Sequence, residues 1–331
     1  MLRRTPVLVT AVAVAAAGML VSCGSAGGGE SSGDLEGALS TVPATEENLT
    51  LIAWTNVSAA TEAGAYEEFP HPFATAGLIG YGPLSNAVQQ LDPALLPAPD
   101  ADFSAALSVG RPPDTAFRID GVDEAATAEF FADTDGDQSE LDEGTLLVRR
   151  DDHAVDPSDD LLPPAVLAQM NTVWFGGSTL VGSTTQPHAT SLVQGEEESA
   201  ADAAVYAGIT DCLSEVLAAE LHSGDASILG TAFGLGYGGT AEDPVVSLCV
   251  HADDPEALAE TVSDSLDSGL EPRAQRPWSD VLGPGEVEVS GDWVQLRLTD
   301  PEPADALYQV VRSQTLPALL GADVPDVPTA G

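Results

Sequence analysis

The sequence predicts an α+β fold, in which amphipathic helices cover an antiparallel, hairpin-rich sheet. Alternating apolar stretches are interrupted by Gly-Gly at 176–177 and by Gly-Asp at 291–292, dipeptides that are typical of two-residue hairpin turns. Helical patterns begin directly after Asp123 and Asp254, and aspartate is a good N-cap residue. The same order of elements occurs twice along the chain, which indicates two related halves.

The repeated unit consists of a strand, a helix, a hairpin and a second helix. The matching helix positions are Ala126 with Ala257, Ala128 with Ala259 and Glu129 with Glu260. The predicted elements are a strand at 115–119, helix at 123–133, hairpin at 171–181 and helix at 200–221, then a strand at 245–251, helix at 254–266, hairpin at 286–298 and helix at 303–320. An internal duplication and two unrelated helices with similar caps both explain the match.

The first 23 residues have the pattern of an export signal. Arg3 and Arg4 precede an apolar run at 6–21 that is short for a transmembrane helix, and small residues precede Cys23. The segment Leu-Val-Ser-Cys that ends at Cys23 resembles the lipobox of bacterial lipoproteins. That resemblance implies that the Cys23 thiol receives a diacylglyceryl group and that a signal peptide, residues 1–22, is removed. Both the general secretory and the twin-arginine export routes remain open.

The same resemblance implies a location at the outer, extracytoplasmic face of the cell membrane, with the lipid bilayer as a partner through the Cys23 acyl chains. Residues 24–38 are mostly Gly, Ser and acidic residues, so the segment 23–38 is predicted to be a lipidated flexible tether. The folded body is predicted to comprise a first half at 39–222 and a second half at 223–331. In composition, the chain resembles exported lipoproteins of high-GC Gram-positive bacteria.

The charge of the chain excludes one class of partner. The formal net charge is −43, and every basic residue is an arginine. Such a field repels the phosphate backbone, so we expect no nucleic-acid partner. A GC-rich genome, adaptation to a salty exterior and a functional role for the acidity all explain this composition.

The cysteine count predicts a disulfide. The chain has three cysteines, and a lipidated Cys23 leaves Cys212 and Cys249 as one pair in an oxidising compartment. We predict that this pair is bonded. Two buried free thiols are the alternative.

One acidic segment has the spacing of a metal site. Asp133, Asp135 and Asp137 match the start of a calcium-binding loop, in which alternating carboxylates converge on the ion. Gln138 then occupies the position that needs glycine, and Gly144 occupies the position of the bidentate glutamate. Weak calcium binding and a solvated acidic loop are therefore both compatible with the segment, and no other cofactor is predicted.

The remaining motifs do not indicate catalysis. The glycines at 234–239 have G-x-G-x-x-G spacing but precede another strand pattern, so we predict a hairpin connection and not a phosphate-binding loop. The five histidines lack zinc spacing, and the charged run 149–153 is interpreted as a turn. We therefore expect a non-enzymatic module that contacts protein or cell-envelope partners. The alternative is a receptor for a small ligand or divalent cation, with its site between the two halves.

Overall fold

The computed structural model describes residues 33–66, 71–159, 161–195, 198–223, 227–299, 301 and 305–322. Within these residues, twelve strands form one antiparallel sheet and two short strands form a separate hairpin. Helices pack on both faces of the large sheet. The predicted α+β class with an antiparallel sheet is confirmed.

The large sheet joins strands from the whole length of the chain. The strands before residue 200 are β1 (Leu51–Asn56), β2 (Ala105–Arg111), β3 (Asp114–Asp120), β4 (Asp137–Leu141), β5 (Gly144–Val148), β6 (Thr172–Gly176) and β7 (Thr179–Ser183). The later strands are β8 (Val216–His222), β9 (Phe233–Gly239), β10 (Pro244–His251), β11 (Leu270–Glu271), β12 (Arg276–Pro277), β13 (Gly285–Ser290) and β14 (Trp293–Thr299). The sheet order is β13-β14-β10-β9-β8-β1-β2-β3-β7-β6-β5-β4, and β11 pairs with β12.

The helices are mostly short. They are α1 (Leu35–Ser40), α2 (Glu46–Leu49), α3 (Val57–Glu62), α4 (Ala76–Ile79), α5 (Glu124–Phe131), α6 (Gln186–Gln194), α7 (Ile209–Leu213), α8 (Pro255–Ser268), α9 (Trp278–Leu282), α10 (Ala306–Arg312) and α11 (Leu316–Leu319). Asp123 and Asp254 cap α5 and α8 by accepting hydrogen bonds from Ala126 N and Ala257 N, as their sequence positions predict.

The sheet order repeats the same topology in two halves. β1 and β8 are antiparallel neighbours at the centre. Outward from β1 the order is β2, β3, β7 and β6, and outward from β8 it is β9, β10, β14 and β13. In the first half, the meander β1-β2-β3 is followed by α5 and later by the hairpin β6-β7, in which β7 pairs with β3. In the second half, the meander β8-β9-β10 is followed by α8 and later by the hairpin β13-β14, in which β14 pairs with β10.

The register between the meander and the hairpin is also the same in the two halves. Ile119 of β3 pairs with Leu180 of β7, and Val250 of β10 pairs with Val294 of β14. The turns begin at Gly177 and Gly291, with φ of +57° and +60°. These angles lie in the left-handed region that favours glycine, and that region suits a two-residue hairpin.

The repeated topology places the boundary between the two halves before β8, and not at residue 222 as predicted from the sequence. The expected helix at 200–221 is a 3-10 turn (Ala204–Tyr206), then α7, then β8, so the second half begins with β8. The apolar periodicity continues from α7 into the strand, where Ala218, Ala219 and Leu221 are fully buried. The sequence of a central strand that is covered on both faces is a continuous apolar run. Hydrophobic periodicity alone does not distinguish such a run from a buried helix.

The glycine-rich segment at 234–239 is strand β9 and not a connection. Its hairpin with β10 turns at 240–243 instead. A Cβ at Gly234 would lie 3.0 Å from Ile209 Cδ1, and one at Gly236 would lie 3.1 Å from Leu213 Cδ2. The glycines therefore let α7 approach the sheet closely.

The folded body begins earlier than predicted, because part of the expected tether is a helix. Asp34 caps α1 by accepting a hydrogen bond from Gly37 N at 2.9 Å. Leu35, Ala38 and Leu39 are buried against the sheet, which supplies the apolar contacts that an isolated polar tether lacks. Cys23, the signal sequence and residues 24–32 of the predicted tether lie outside the described residues.

Three apolar clusters fill the space between the sheet and its helices. Two lie on one face, under α8 to α11 in the second half and under α5 with several 3-10 turns in the first. The third spans the centre of the opposite face, under α1, α2, α6 and α7. Trp54 of β1 is 1% exposed in this central cluster, where the two halves join.

Candidate functional site

The predicted disulfide between Cys212 and Cys249 is confirmed. It links α7 to β10 across a Cα–Cα distance of 6.2 Å, and both cysteines are buried. Two further side chains fix the same helix to β14: Trp293 Nε1 donates to Ala207 O at 2.7 Å, and Gln295 Nε2 donates to Cys212 O at 2.5 Å. The bond is thus a brace between a short helix and the sheet.

The aspartates of the predicted calcium loop do not form a site. Asp133, Asp135 and Asp137 are all exposed, and Asp137 is already the first residue of β4. Within the described ranges, no cluster of three or more His, Cys, Asp or Glu side chains could hold a metal ion. The start of a strand extends the chain where a calcium loop would have to curl around the ion.

A row of buried and half-buried polar side chains crosses the sheet where the two halves meet. Arg111 ends β2 and His222 ends β8, and Arg111 Nη2 lies 3.0 Å from His222 Nδ1. His222 Nε2 lies 2.6 Å from Glu220 Oε1. The imidazole also stacks on Phe233, with ring centroids 4.4 Å apart and planes 9° apart.

This geometry fixes the role of the histidine. Arg111 can only donate, so Nδ1 of His222 accepts, and Nε2 donates to the carboxylate of Glu220. His222 therefore bridges Arg111 and Glu220 through its two ring nitrogens. Both ring nitrogens are engaged, so neither is free to take a proton from a substrate. The row is a structural link between the halves.

Tyr237 of β9 lies beside this row. Its hydroxyl is buried and has no hydrogen-bond partner among the described residues. Burial raises the pKa of Tyr237 well above its ordinary value, and the charge of Glu220 adds to the effect. Burial also raises the pKa of Tyr308 on α10, again with a contribution from Glu220. Both phenols therefore stay neutral at physiological pH.

Arg149, at the start of the charged run 149–153, forms a buried ion pair with Asp159 that could not be predicted from the sequence. Arg149 Nη2 lies 2.5 Å from Asp159 Oδ2, and the two side chains are only 1% and 7% exposed. Arg149 Nη1 also donates to Met170 O at 3.1 Å. Burial lowers the pKa of Arg149, and the carboxylate of Asp159 opposes this effect. The pair holds the loop at 149–159 against the sheet.

The other members of the charged run lie near the surface. His153 Nε2 is 3.4 Å from Asp114 Oδ1, with both side chains about half exposed. Asp152 accepts a hydrogen bond from Gln186 N at the start of α6 and lines an open, shallow concavity with Thr190 and Gln194. Most of the residues that line this concavity are polar.

The two edge strands of the large sheet, β4 and β13, differ in their side chains. At one end, residues 137–140 of β4 are all polar and exposed. At the other end, β13 alternates glutamate with valine. Glu286 and Glu288 are exposed, Val287 is half-buried and Val289 is 41% exposed. The hairpin could be predicted from the sequence, but its position at the edge of the sheet could not, because that position depends on the topology.

Comparisons with known proteins do not place the chain in a family. No protein-family model and no curated protein sequence matches it. Among solved structures, crystal forms I, III and IV of TP0453 superpose with TM-scores of 0.40, 0.39 and 0.37 and sequence identities of 11%, 11% and 10%. The alignments cover 84%, 83% and 82% of this chain and 97%, 97% and 95% of TP0453. These low TM-scores do not establish a shared fold.

The described helices include none that is long and apolar enough to cross a membrane.

Proposed function

We propose that this protein is a lipid-anchored, extracytoplasmic interaction module that acts without catalysis. Anchoring is inferred from the arginines, the apolar run and Cys23 at the N-terminus. The observation that carries the interaction role is the exposed edge strand β13, because an open strand presents backbone groups and alternating side chains to another chain. The disulfide is in keeping with an oxidising compartment outside the cytoplasm.

The interaction role is favoured over a small-ligand receptor by the chemistry between the halves. A receptor needs convergent polar groups that are free to bind a ligand in a cleft. At the junction, Arg111 and Glu220 engage both ring nitrogens of His222. Arg111 Nε and the Tyr237 hydroxyl have no partner among the described residues, but both atoms are buried away from solvent. On β13, by contrast, Val289 is 41% exposed, and neither Glu286 nor Glu288 forms an ion pair among the described residues.

Replacing Cys23 with serine is expected to release the protein from membranes, because the hydroxyl of serine does not accept the lipid. Fractionation of cells and metabolic labelling with a radioactive fatty acid measure this change. The wild-type protein should be in the membrane fraction and labelled, and the Cys23→Ser protein should be soluble and unlabelled. A Cys23→Ser protein that stays membrane-bound would refute lipid anchoring.

The interaction role is tested on intact cells by site-specific photo-crosslinking. A photoreactive amino acid is placed in turn at Val155, Leu270 and Val289, three apolar residues that are 62%, 53% and 41% exposed. We expect a discrete adduct with an envelope protein, identified by mass spectrometry, from at least one position. An anchored and folded protein that forms no adduct at any of the three positions would contradict an interaction module.

A further inference from the structure

The register of the second hairpin determines which backbone groups of β13 face outward. Ser290 and Trp293 flank the turn and form a hydrogen-bonded pair, and hydrogen-bonded pairs alternate along an antiparallel ladder. The N–H and C=O groups of Gly285, Val287 and Val289 therefore point away from β14. Among the described residues, no turn, loop or cap hydrogen bond uses them. This outward side of Gly285–Ser290 is referred to below as the β13 edge.

The first half of the molecule shows how the equivalent edge is filled. The strand equivalent to β13 is β6, and β5 pairs with its outer side as an antiparallel strand. Val173 and Phe175 of β6 occupy the positions of Val287 and Val289. Leu147 of β5 pairs with Val173 and is fully buried, so the added strand covers apolar surface.

The second half lacks a strand at this position, because its corresponding segment folds elsewhere. The residues between α5 and β6 include the β4–β5 hairpin, whereas those between α8 and β13 form β11, β12 and α9. β11 and β12 pair only with each other, outside the large sheet. The β13 edge therefore has the backbone geometry that accepts a strand in the first half, and Val289 is exposed where Phe175 stacks on Phe131.

The charges beside the β13 edge favour an added strand with basic side chains. Glu286 and Glu288 point to the sheet face opposite Val287 and Val289. The cross-strand neighbour of Glu288 is the neutral Gln295, and that of Glu286 is Arg297. On the valine side, α8 packs beside β13 and exposes Glu256, Glu260, Asp264 and Asp267. Acidic groups therefore border the edge on both faces.

We propose that the β13 edge binds an extended, basic segment of another envelope protein as an added antiparallel strand. This proposal rests on the interaction role proposed above and names its surface and the chemistry of its partner. Apolar side chains of the added strand cover Val287 and Val289, and its arginine or lysine side chains lie beside Glu286 and Glu288. Main-chain hydrogen bonds supply affinity, and the alternating side chains supply specificity.

The same charges disfavour the other occupants of this edge. In an antiparallel pair of two β13 strands centred on Val287, Glu286 of one copy would lie opposite Glu288 of the other, and like charges directly opposite are destabilising. The terminal segments at 24–32 and 323–331 contain no basic residue. A basic partner protein is therefore the occupant that complements the edge.

A designed peptide tests the proposal on the secreted Cys23→Ser protein. The probe is a seven-residue peptide of alternating arginine and valine with blocked ends, and fluorescence anisotropy measures its dissociation constant. Val289→Pro removes an N–H that faces the edge without removing a hydrogen bond to β14. We expect this change to weaken binding at least tenfold. Gln138→Pro is the matched control, because it makes the same change in the other edge strand, β4, and should leave binding unchanged.

A charge exchange provides the second arm. Glu286→Lys with Glu288→Lys should weaken binding of the arginine–valine peptide and create binding of a glutamate–valine peptide. Circular dichroism and thermal unfolding confirm that each variant is folded. Wild-type affinity in the Val289→Pro protein, or an equal loss in the Gln138→Pro protein, would overturn the proposal.

The two proposals fail in different ways. If the peptide does not bind but crosslinks form at Val155 or Leu270, the assignment of the β13 edge is wrong and the interaction role stands. If the peptide binds but no crosslink forms at any of the three positions in cells, the interaction role is wrong although the edge can accept a strand.

Discussion

Replacing Arg149 with methionine is expected to lower the free energy of unfolding by about 3 to 5 kcal/mol. The change removes the nearer and more buried of two cationic partners of the Asp159 carboxylate, which is only 7% exposed and lies 2.5 Å from the Arg149 guanidinium. It also removes the donor to Met170 O. An uncompensated buried charge costs far more than an exposed one, because water no longer solvates it. Urea denaturation at neutral pH measures the loss.

Arg150→Met is the matched control for this prediction. Arg150 lies 3.5 Å from the same Asp159 oxygen, but its side chain is 30% exposed. Its loss should cost about 1 kcal/mol or less, as for other solvent-exposed ion pairs. The double change Arg149→Met with Asp159→Leu should recover most of the loss, because it removes both charges. Equal costs for the Arg149 and Arg150 variants would contradict the burial argument.

Removing the disulfide between Cys212 and Cys249 is also expected to lower the free energy of unfolding strongly. The bond closes a sequence separation of 37 residues. In the chain-entropy model, a loop of this length contributes about 3 to 4 kcal/mol, because the bond restricts the unfolded chain. The double variant with Cys212→Ala and Cys249→Ala should therefore unfold at a clearly lower urea concentration than the wild-type protein.

Two controls separate the bond from other effects of these substitutions. The Cys23→Ser protein keeps the disulfide and should unfold like the wild-type folded body. Adding a reductant to the denaturation series should lower the stability of the Cys23→Ser protein but leave the double alanine variant unchanged. A loss below about 1 kcal/mol in both experiments would contradict the role of the bond as a brace.

Local chemistry explains which elements could be predicted from sequence. The helices after Asp123 and Asp254 follow from an N-cap that bonds within the next turn, and the hairpin at Gly291 follows from a turn that needs positive φ. Such signals involve residues that are close in sequence. The pairing of Cys212 with Cys249 follows from a count, because one cysteine is assigned to lipid.

Tertiary context explains the errors. The apolar stripe that includes Ile209 and Cys212 continues into Val216, but the chain turns at Ser214 with φ +50° and becomes a strand. β9 is rich in glycine because α7 lies close above it. Neither the partner of Arg149 nor the exposure of β13 can be inferred locally, since each depends on where a separate segment folds.

The most direct measurement is hydrogen exchange at the β13 edge, compared between the anchored protein in native membranes and the purified Cys23→Ser protein. In the purified protein, we predict fast exchange at Val287 and Val289 and slow exchange at Val173 and Phe175, which β5 covers. In native membranes, Val287 and Val289 should become protected, while Gln138 and Glu140 of β4 should not. Unchanged exchange at β13 in native membranes would contradict a partner strand at this edge.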